Sequence, residues 1–252
     1  MSVRRTVKVL GVEVDAVTLG EAISLVGEAI DSRRGHGGPT FQVATVNPEF
    51  VMHARRDREF RDILRDASLR TPDGVGLMIA SRILGHPLPQ RVAGVELVQA
   101  LAQAAAGRGD RVFLLGAAPG VAEAAAARLV ASAPGLMVSG TFAGDATEAG
   151  DAESLTRIRA AQPDILLVAY GAPAQELWAR RNLEVSGASV AIGVGGTFDY
   201  LAGRVRRAPA PMRRLGLEWV FRLVRQPWRA SRMTALPVFL VLVLRQRIRG
   251  HE

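Results

Sequence analysis

The chain has 252 residues, 48% of them apolar and 22% charged, which allows a large buried core and argues against disorder. It has no cysteine, so disulfides, thiolate metal sites and cysteine nucleophiles are excluded, and its four histidines (His36, His53, His86, His251) show no HxxxH or HExxH spacing. The net charge of +8 is lopsided: from Arg204 onward 12 arginines face two acids, a net of +10, while residues 1–203 carry −2.

The N-terminal stretch MSVRRTVKVLGVEVDAV lacks the apolar segment of a signal peptide, which points to the cytosol. Next come an amphipathic helix over Leu19–Arg33, a flexible loop over Arg33–Pro39 and a buried strand over Phe41–Val46. Helices are predicted over Glu49–Asp66, Val75–Leu84 and Val95–Ala106, the last two separated by Gly85–Gln90. A strand over Val112–Gly116, helices over Val121–Ala131 and Ala152–Ala161, a strand over Ile165–Tyr170, a helix over Ala174–Glu184 and a strand over Ser189–Val194 complete the body. Such alternation predicts an α/β, Rossmann-like domain: a mostly parallel sheet with helices on both faces.

Composition, charge and periodicity change together at Gly203–Pro211, dividing an α/β body (1–203) from an arginine-rich, helical C-terminal appendage (204–252). Arg222, Arg225, Arg229 and Arg232 are spaced to share one helical face, with Trp219, Val220, Leu223 and Val224 roughly opposite. Pro227 predicts a kink or two short helices. The apolar run Ala235–Leu244 is ten residues long and contains Pro237, whereas a membrane span needs about 20. It is long enough to lie on a membrane and too short to cross one. Arginine clustered with tryptophan suits a phosphate-bearing surface: lipid head groups, nucleotides or nucleic acid. The plainer reading of the stripe is a solvated basic helix face.

Ligands of open parallel sheets sit beyond the carboxyl ends of the strands, and four motifs fall there. In Thr45-Val46-Asn47-Pro48, Thr45 and Asn47 are placed to bond a ligand, or Asn47 caps the helix that Pro48 opens. In Thr71-Pro72-Asp73-Gly74, Asp73 is either a functional carboxylate or a helix cap. Gly116–Gly120 (GAAPG) is a strand–helix turn that either faces phosphate or merely connects. The fourth is the pair YGAPAQE and GVGGTFD; the latter is not the full G-x-G-x-x-G of a dinucleotide site. No D-x-D pair is present, and Asp151-Ala-Glu153 sits at a helix start, so neither a metal nor another cofactor is expected.

Together, TVNPEFV, ASLRTPDGVGL, RILGHPLPQRVAGVEL, VFLLGAAPG, PDILLVAYGAPAQELW, VGGTFDYLAGRVRRAP and RLGLEWVFRLVRQPWRASR resemble the bacterial TagA/WecG/CpsF glycosyltransferase family, in order over about residues 8–234. The resemblance implies an inverting, metal-independent transferase. It would move an N-acetylmannosamine-type sugar from a UDP donor to undecaprenyl-diphosphate-linked N-acetylglucosamine, for cell-surface polysaccharide or teichoic acid. It further implies Asp73 as general base, Thr45 and Asn47 on the donor or acceptor sugar, Arg91 on the diphosphate, Gln175 lining the pocket and Asp199 at the nucleoside. Arg222, Arg229 and Arg232 would close the site from the appendage. That appendage would hold the enzyme peripherally on the anionic cytoplasmic face of the plasma membrane, where the acceptor is anchored. The segment ALPVFLVLVLRQRIRG extends beyond what the family pattern requires.

Two other readings remain at this point: the same fold using another UDP-sugar, such as glucose or a uronic acid, in exopolysaccharide synthesis, and a non-catalytic binder of nucleic acid or anionic membrane. The transferase reading expects no nucleic-acid partner, and the sequence leaves homo-oligomerisation open.

Overall fold

A computed structural model describes residues 4–209, 212, 220, 221 and 235–249. Its elements in chain order begin with an antiparallel hairpin, β1 (Thr6–Val9) and β2 (Val12–Asp15), followed by α1 (Leu19–His36) and β3 (Phe41–Val46). Then come α2 (Pro48–Ala54), α3 (Arg58–Asp66), β4 (Leu69–Pro72), α4 (Val75–Ile83), α5 (Gly94–Arg108) and β5 (Arg111–Gly116). The body closes with α6 (Val121–Ser132), β6 (Met137–Phe142), α7 (Glu148–Ala161), β7 (Ile165–Ala169), α8 (Ala174–Ser186), β8 (Val190–Gly193) and α9 (Thr197–Leu201). A last described helix, α10, spans Ala235–Arg249.

Six strands form one sheet in the order β4-β3-β8-β7-β5-β6, with every pairing parallel. The Rossmann-like α/β expectation is met. One face packs on α1, α5, α6 and α9 through Val26, Ile30, Leu97, Leu101, Leu129 and Phe198. The other carries α2, α3, α4 and the hairpin at one end, and α7 and α8 around Trp178 at the other. Alternation along β3 accounts for the division: Val43 points into the first core, Ala44 and Val46 into the second.

Several boundaries depart from the sequence reading. The predicted helix over Glu49–Asp66 is two helices, because Asp57 stops and restarts the chain by accepting from Phe60 N–H at 3.0 Å. The first helix runs through Arg33–Pro39 as far as His36, since Gly37 ends it in the left-handed conformation (φ 62°). Strands β4 and β6, at the two sheet edges, carry no continuous apolar run and escaped the reading. All four residues of β4 are buried, among them Arg70, whose Nε and Nη2 reach Asp15 at 3.0 and 3.2 Å while its backbone N–H gives Asp15 a 2.7 Å bond. This two-pronged pair lets a charged residue occupy an interior strand position beside the hairpin.

Helix α10 returns to the body. Phe239 and Val243 are fully buried against α2 and α4, Gln246 bridges the hairpin through Leu10 N–H and Lys8 C=O, and Arg247 donates to Leu84 C=O. Gly76 permits the fit, since a Cβ there would lie 2.6 Å from Pro48 Cγ and 2.9 Å from Leu236 Cδ1. Leu236 and Leu240 pack partly against the same core, while Val238, Val241, Leu244 and Ile248 are exposed. Among the described residues, no helix is long and apolar enough to cross a membrane.

Candidate active site

The chain leaves β3 toward the α2 face and leaves the adjacent β8 toward the α9 face, so a crevice opens between their carboxyl ends. All four sequence motifs converge on this rim, at the ends of β3, β4, β5, β7 and β8. The charged cluster at the opposite end of the strands has a different role. There Arg34 reaches Asp110 at 3.0 Å and Asp164 at 2.6 Å, and Asp164 accepts from Arg111 N–H at 2.7 Å, so these groups clasp the starts of β5 and β7.

Asp73 follows β4, with its backbone N–H bonded to Val46 C=O at 2.7 Å. It is not the cap of α4: Gly74 takes that position, at φ 93°, and no side chain caps the helix. The Asp73 carboxylate turns instead toward the first turn of α5, where Gly94 N–H lies 3.4 Å from Oδ2. The N-terminus of α5 thus presents its positive end to an aspartate on the crevice wall. Thr197 and Val194 C=O crowd the same glycine, at 3.4 and 3.9 Å from where its Cβ would be, so β4, α5 and the β8 loop meet at one point.

Thr45 is buried and donates to Gly193 C=O at 2.9 Å, tying β3 to β8 below the crevice. Asn47 caps α2 by accepting from Phe50 N–H at 3.0 Å, with Pro48 as the first helical residue, so the capping alternative is realised on the rim itself. Arg91, in the approach to α5, reaches Glu96 Oε1 at 3.2 Å. Arg207, beyond α9, reaches the same oxygen at 3.2 Å. One carboxylate therefore draws two guanidinium groups together at the α5 end of the site. Asp199 lies in α9, partly exposed, and its C=O accepts from Val205 N–H at 3.1 Å. The Asp151 and Glu153 carboxylates are paired with Arg181 and Arg157 on the α7 side. Among the described residues, no three His, Asp or Glu side chains gather as a metal-ligand set.

Gln175 is buried in the first turn of α8, two residues after Pro173 of the cis Ala172–Pro173 peptide. Its Oε1 accepts from Gly171 N–H at 3.1 Å and Gly195 N–H at 2.8 Å, bridging the β7 and β8 loops. Its Nε2 donates at 2.7 Å to Glu176, whose carboxyl is pushed up to about 8 by burial. Nearby, burial pushes the Tyr170 hydroxyl up to about 12.

The structure therefore gathers Thr45, Asn47, Asp73, Arg91, Gln175 and Asp199 on one rim, from segments up to 154 residues apart in sequence. Arg222, Arg229 and Arg232 lie outside the described residues. Sequence reading passed over Glu96, Glu176 and Arg207. Glu176 was legible as the neighbour of Gln175 in GAPAQE, and Arg207 as part of GRVRRAP; Glu96 gave no signal of its own.

Compared with known families, residues 7–252 match the glycosyl transferase WecG/TagA/CpsF family. The chain belongs to that family. An N-acetylglucosaminyldiphosphoundecaprenol N-acetyl-beta-D-mannosaminyltransferase of Bacillus subtilis (strain 168) is 34% identical over 204 residues, covering 81% of this chain and 79% of that protein. A protein of the same name from Staphylococcus aureus (strain MW2) is 29% identical over 241 residues, covering 96% and 93%. This WecG/TagA/CpsF protein is accordingly a glycosyltransferase, and the rim of the sheet is its candidate active site.

Proposed function

We propose that the enzyme transfers an N-acetylmannosamine-type sugar from UDP to the free hydroxyl of undecaprenyl-diphosphate-linked N-acetylglucosamine, with inversion and without a metal ion. The observation that carries this reading is the Asp73 carboxylate, set on the crevice wall against the first turn of α5 at the ends of β3, β4 and β8. The acceptor oxygen attacks the anomeric carbon, the bond from that carbon to the UDP oxygen breaks on the opposite face, and the hydroxyl proton passes to Asp73. The two negative centres this generates, carboxylate before and diphosphate after, need separate surroundings. Arg91, held beside Arg207 by Glu96, suits the leaving diphosphate, and Arg222, Arg229 and Arg232 of the appendage would complete its neutralisation. Asp199 would meet the nucleoside, and Thr45, Asn47 and Gln175 the sugars. The shared name of the two relatives supports the choice of acceptor and sugar.

The acceptor's lipid lies in a membrane, and α10 offers a surface for one. Val238, Val241, Leu244 and Ile248 project from it together with exposed Arg245 and Arg249. An apolar strip edged by arginine suits an anionic cytoplasmic leaflet. The test is transfer from a panel of UDP-sugars to a lipid-diphosphate-N-acetylglucosamine analogue. UDP-N-acetylmannosamine is the expected donor, and Asp73→Asn is expected to lose about 10²-fold or more in turnover while unfolding at the wild-type temperature. Full turnover by that variant would remove Asp73 from the mechanism, and preferred use of UDP-glucose or a UDP-uronic acid would replace the donor.

A further inference from the structure

Glu176 has no part in the reaction as written, yet it is the most unfavourably placed acid around the crevice. It is 1% exposed, and its Oε2 has no hydrogen-bond partner among the described residues. An apolar side chain of similar size would avoid that desolvation cost. What the carboxyl does have is one well-formed contact, the 2.7 Å bond that Oε1 accepts from Gln175 Nε2. The other end of the same amide is equally committed, since Gln175 Oε1 receives the Gly171 and Gly195 N–H groups. An amide can be reversed about its last bond. Here reversal would set its NH2 against two N–H donors and take the donor away from Glu176 Oε1. The β8 backbone forms the wall: a Cβ on Gly193 would collide with Glu176 Oε1 and come within 2.6 Å of Gln175 Nε2.

We propose that Glu176 is a positioning residue of the transferase site: its buried carboxyl fixes the orientation of the Gln175 amide, which in turn sets the spacing of the β7 and β8 loops on the sugar-nucleotide side. The inference rests on the transferase reading of the crevice. Because burial holds Glu176 in its neutral form at ordinary pH, the arrangement needs an acceptor oxygen rather than a charge, and a glutamine can supply one. A leucine cannot.

The experiment compares wild type, Glu176→Gln and Glu176→Leu in the full chain, by thermal unfolding, amide hydrogen exchange without substrate, and steady-state kinetics. Glu176→Leu is expected to unfold near the wild-type temperature, since the relieved desolvation of the carboxyl offsets the lost acceptor of Gln175 Nε2, yet to exchange the Gly171 and Gly195 amides roughly tenfold faster. It should also lose roughly tenfold in kcat/KM for the sugar nucleotide, with the acceptor KM unchanged. Glu176→Gln is expected to stay close to wild type in all three. A residue with only a structural role would not separate stability from exchange and donor kinetics in this way. A folded Glu176→Leu with native exchange and native kinetics overturns the proposal, as does one that is slow while both amides exchange normally. If the leucine variant does not fold, Glu176→Ala takes its place under the same criteria, and failure of both to fold assigns Glu176 to the fold and overturns the proposal. The exchange measurements are independent of turnover. A wild-type protein that transfers no sugar would therefore overturn the transferase reading, while exchange would still decide whether Glu176 orients Gln175.

Discussion

The carboxyl groups of this protein separate by environment. Asp15 is buried but answered by Arg70; Asp110 and Asp164 are answered by Arg34; Glu176 is buried with an amide as its partner. The Glu176 carboxyl is pushed up to about 8 against an ordinary value of 4.5, and burial is the cause. Between pH 4.5 and 8 the unfolded chain has released this proton and the folded chain has not. The Glu176 contribution is thus fully present below 4.5 and lost as pH rises toward 8. Wild type should lose up to about 1.4 kcal/mol per pH unit in that window relative to Glu176→Gln, which has no proton to release. Urea unfolding of both proteins at pH 5, 6.5 and 8 measures it, and parallel pH curves would show that the group ionises in the fold. Asp73 illustrates a different lesson. Aspartate before a helix reads as a cap, but Gly74 holds the cap position and leaves the carboxylate to a neighbouring helix start.

Among the elements, α10 is the one whose role depended most on tertiary contacts. Its sequence, ALPVFLVLVLRQRIR, is apolar over ten residues and resembles an interfacial segment all round. The fold divides it: Phe239 and Val243 enter the core with α2 and α4, while Val238, Val241, Leu244 and Ile248 face outward. Removing residues 204–252 would therefore uncover the α2–α4 core as well as delete the appendage, so point substitutions separate the two roles better than truncation. Phe239→Ala should cost about 3–5 kcal/mol of stability and speed exchange along α10, because the cavity is walled by helices that cannot collapse into it. An unchanged unfolding temperature would mean that α10 does not hold this position in solution.

For the whole molecule, the arrangement couples an α/β body to a surface of arginine and aliphatic side chains. The Val241→Asp, Leu244→Asp double variant should unfold within about 0.5 kcal/mol of wild type, since both positions are half exposed. Its binding to anionic phospholipid vesicles should fall roughly tenfold, with little change in binding to neutral ones. Undiminished sedimentation with anionic vesicles would separate α10 from membrane docking. Much of this architecture was legible in the chain itself. The apolar runs of β3, β5, β7 and β8, bounded by turn residues, specify buried parallel strands, and Asn47-Pro48 specifies a helix start because caps act within three residues. The motifs were visible as strand-end segments for the same local reason. Strands β4 and β6 were not, since an edge strand with Arg70 inside, or with mixed polarity, has no pattern until its neighbours are in place. Composition and motif determined the layered fold and set the four motifs at the ends of its strands. Tertiary structure alone decided that Asp73 faces α5, that Glu96 joins Arg91 to Arg207, and that Glu176 is buried with the Gln175 amide as its partner. Those contacts join residues whose partners are set by the crossing of strands and helices, and no local propensity encodes where two such segments will meet.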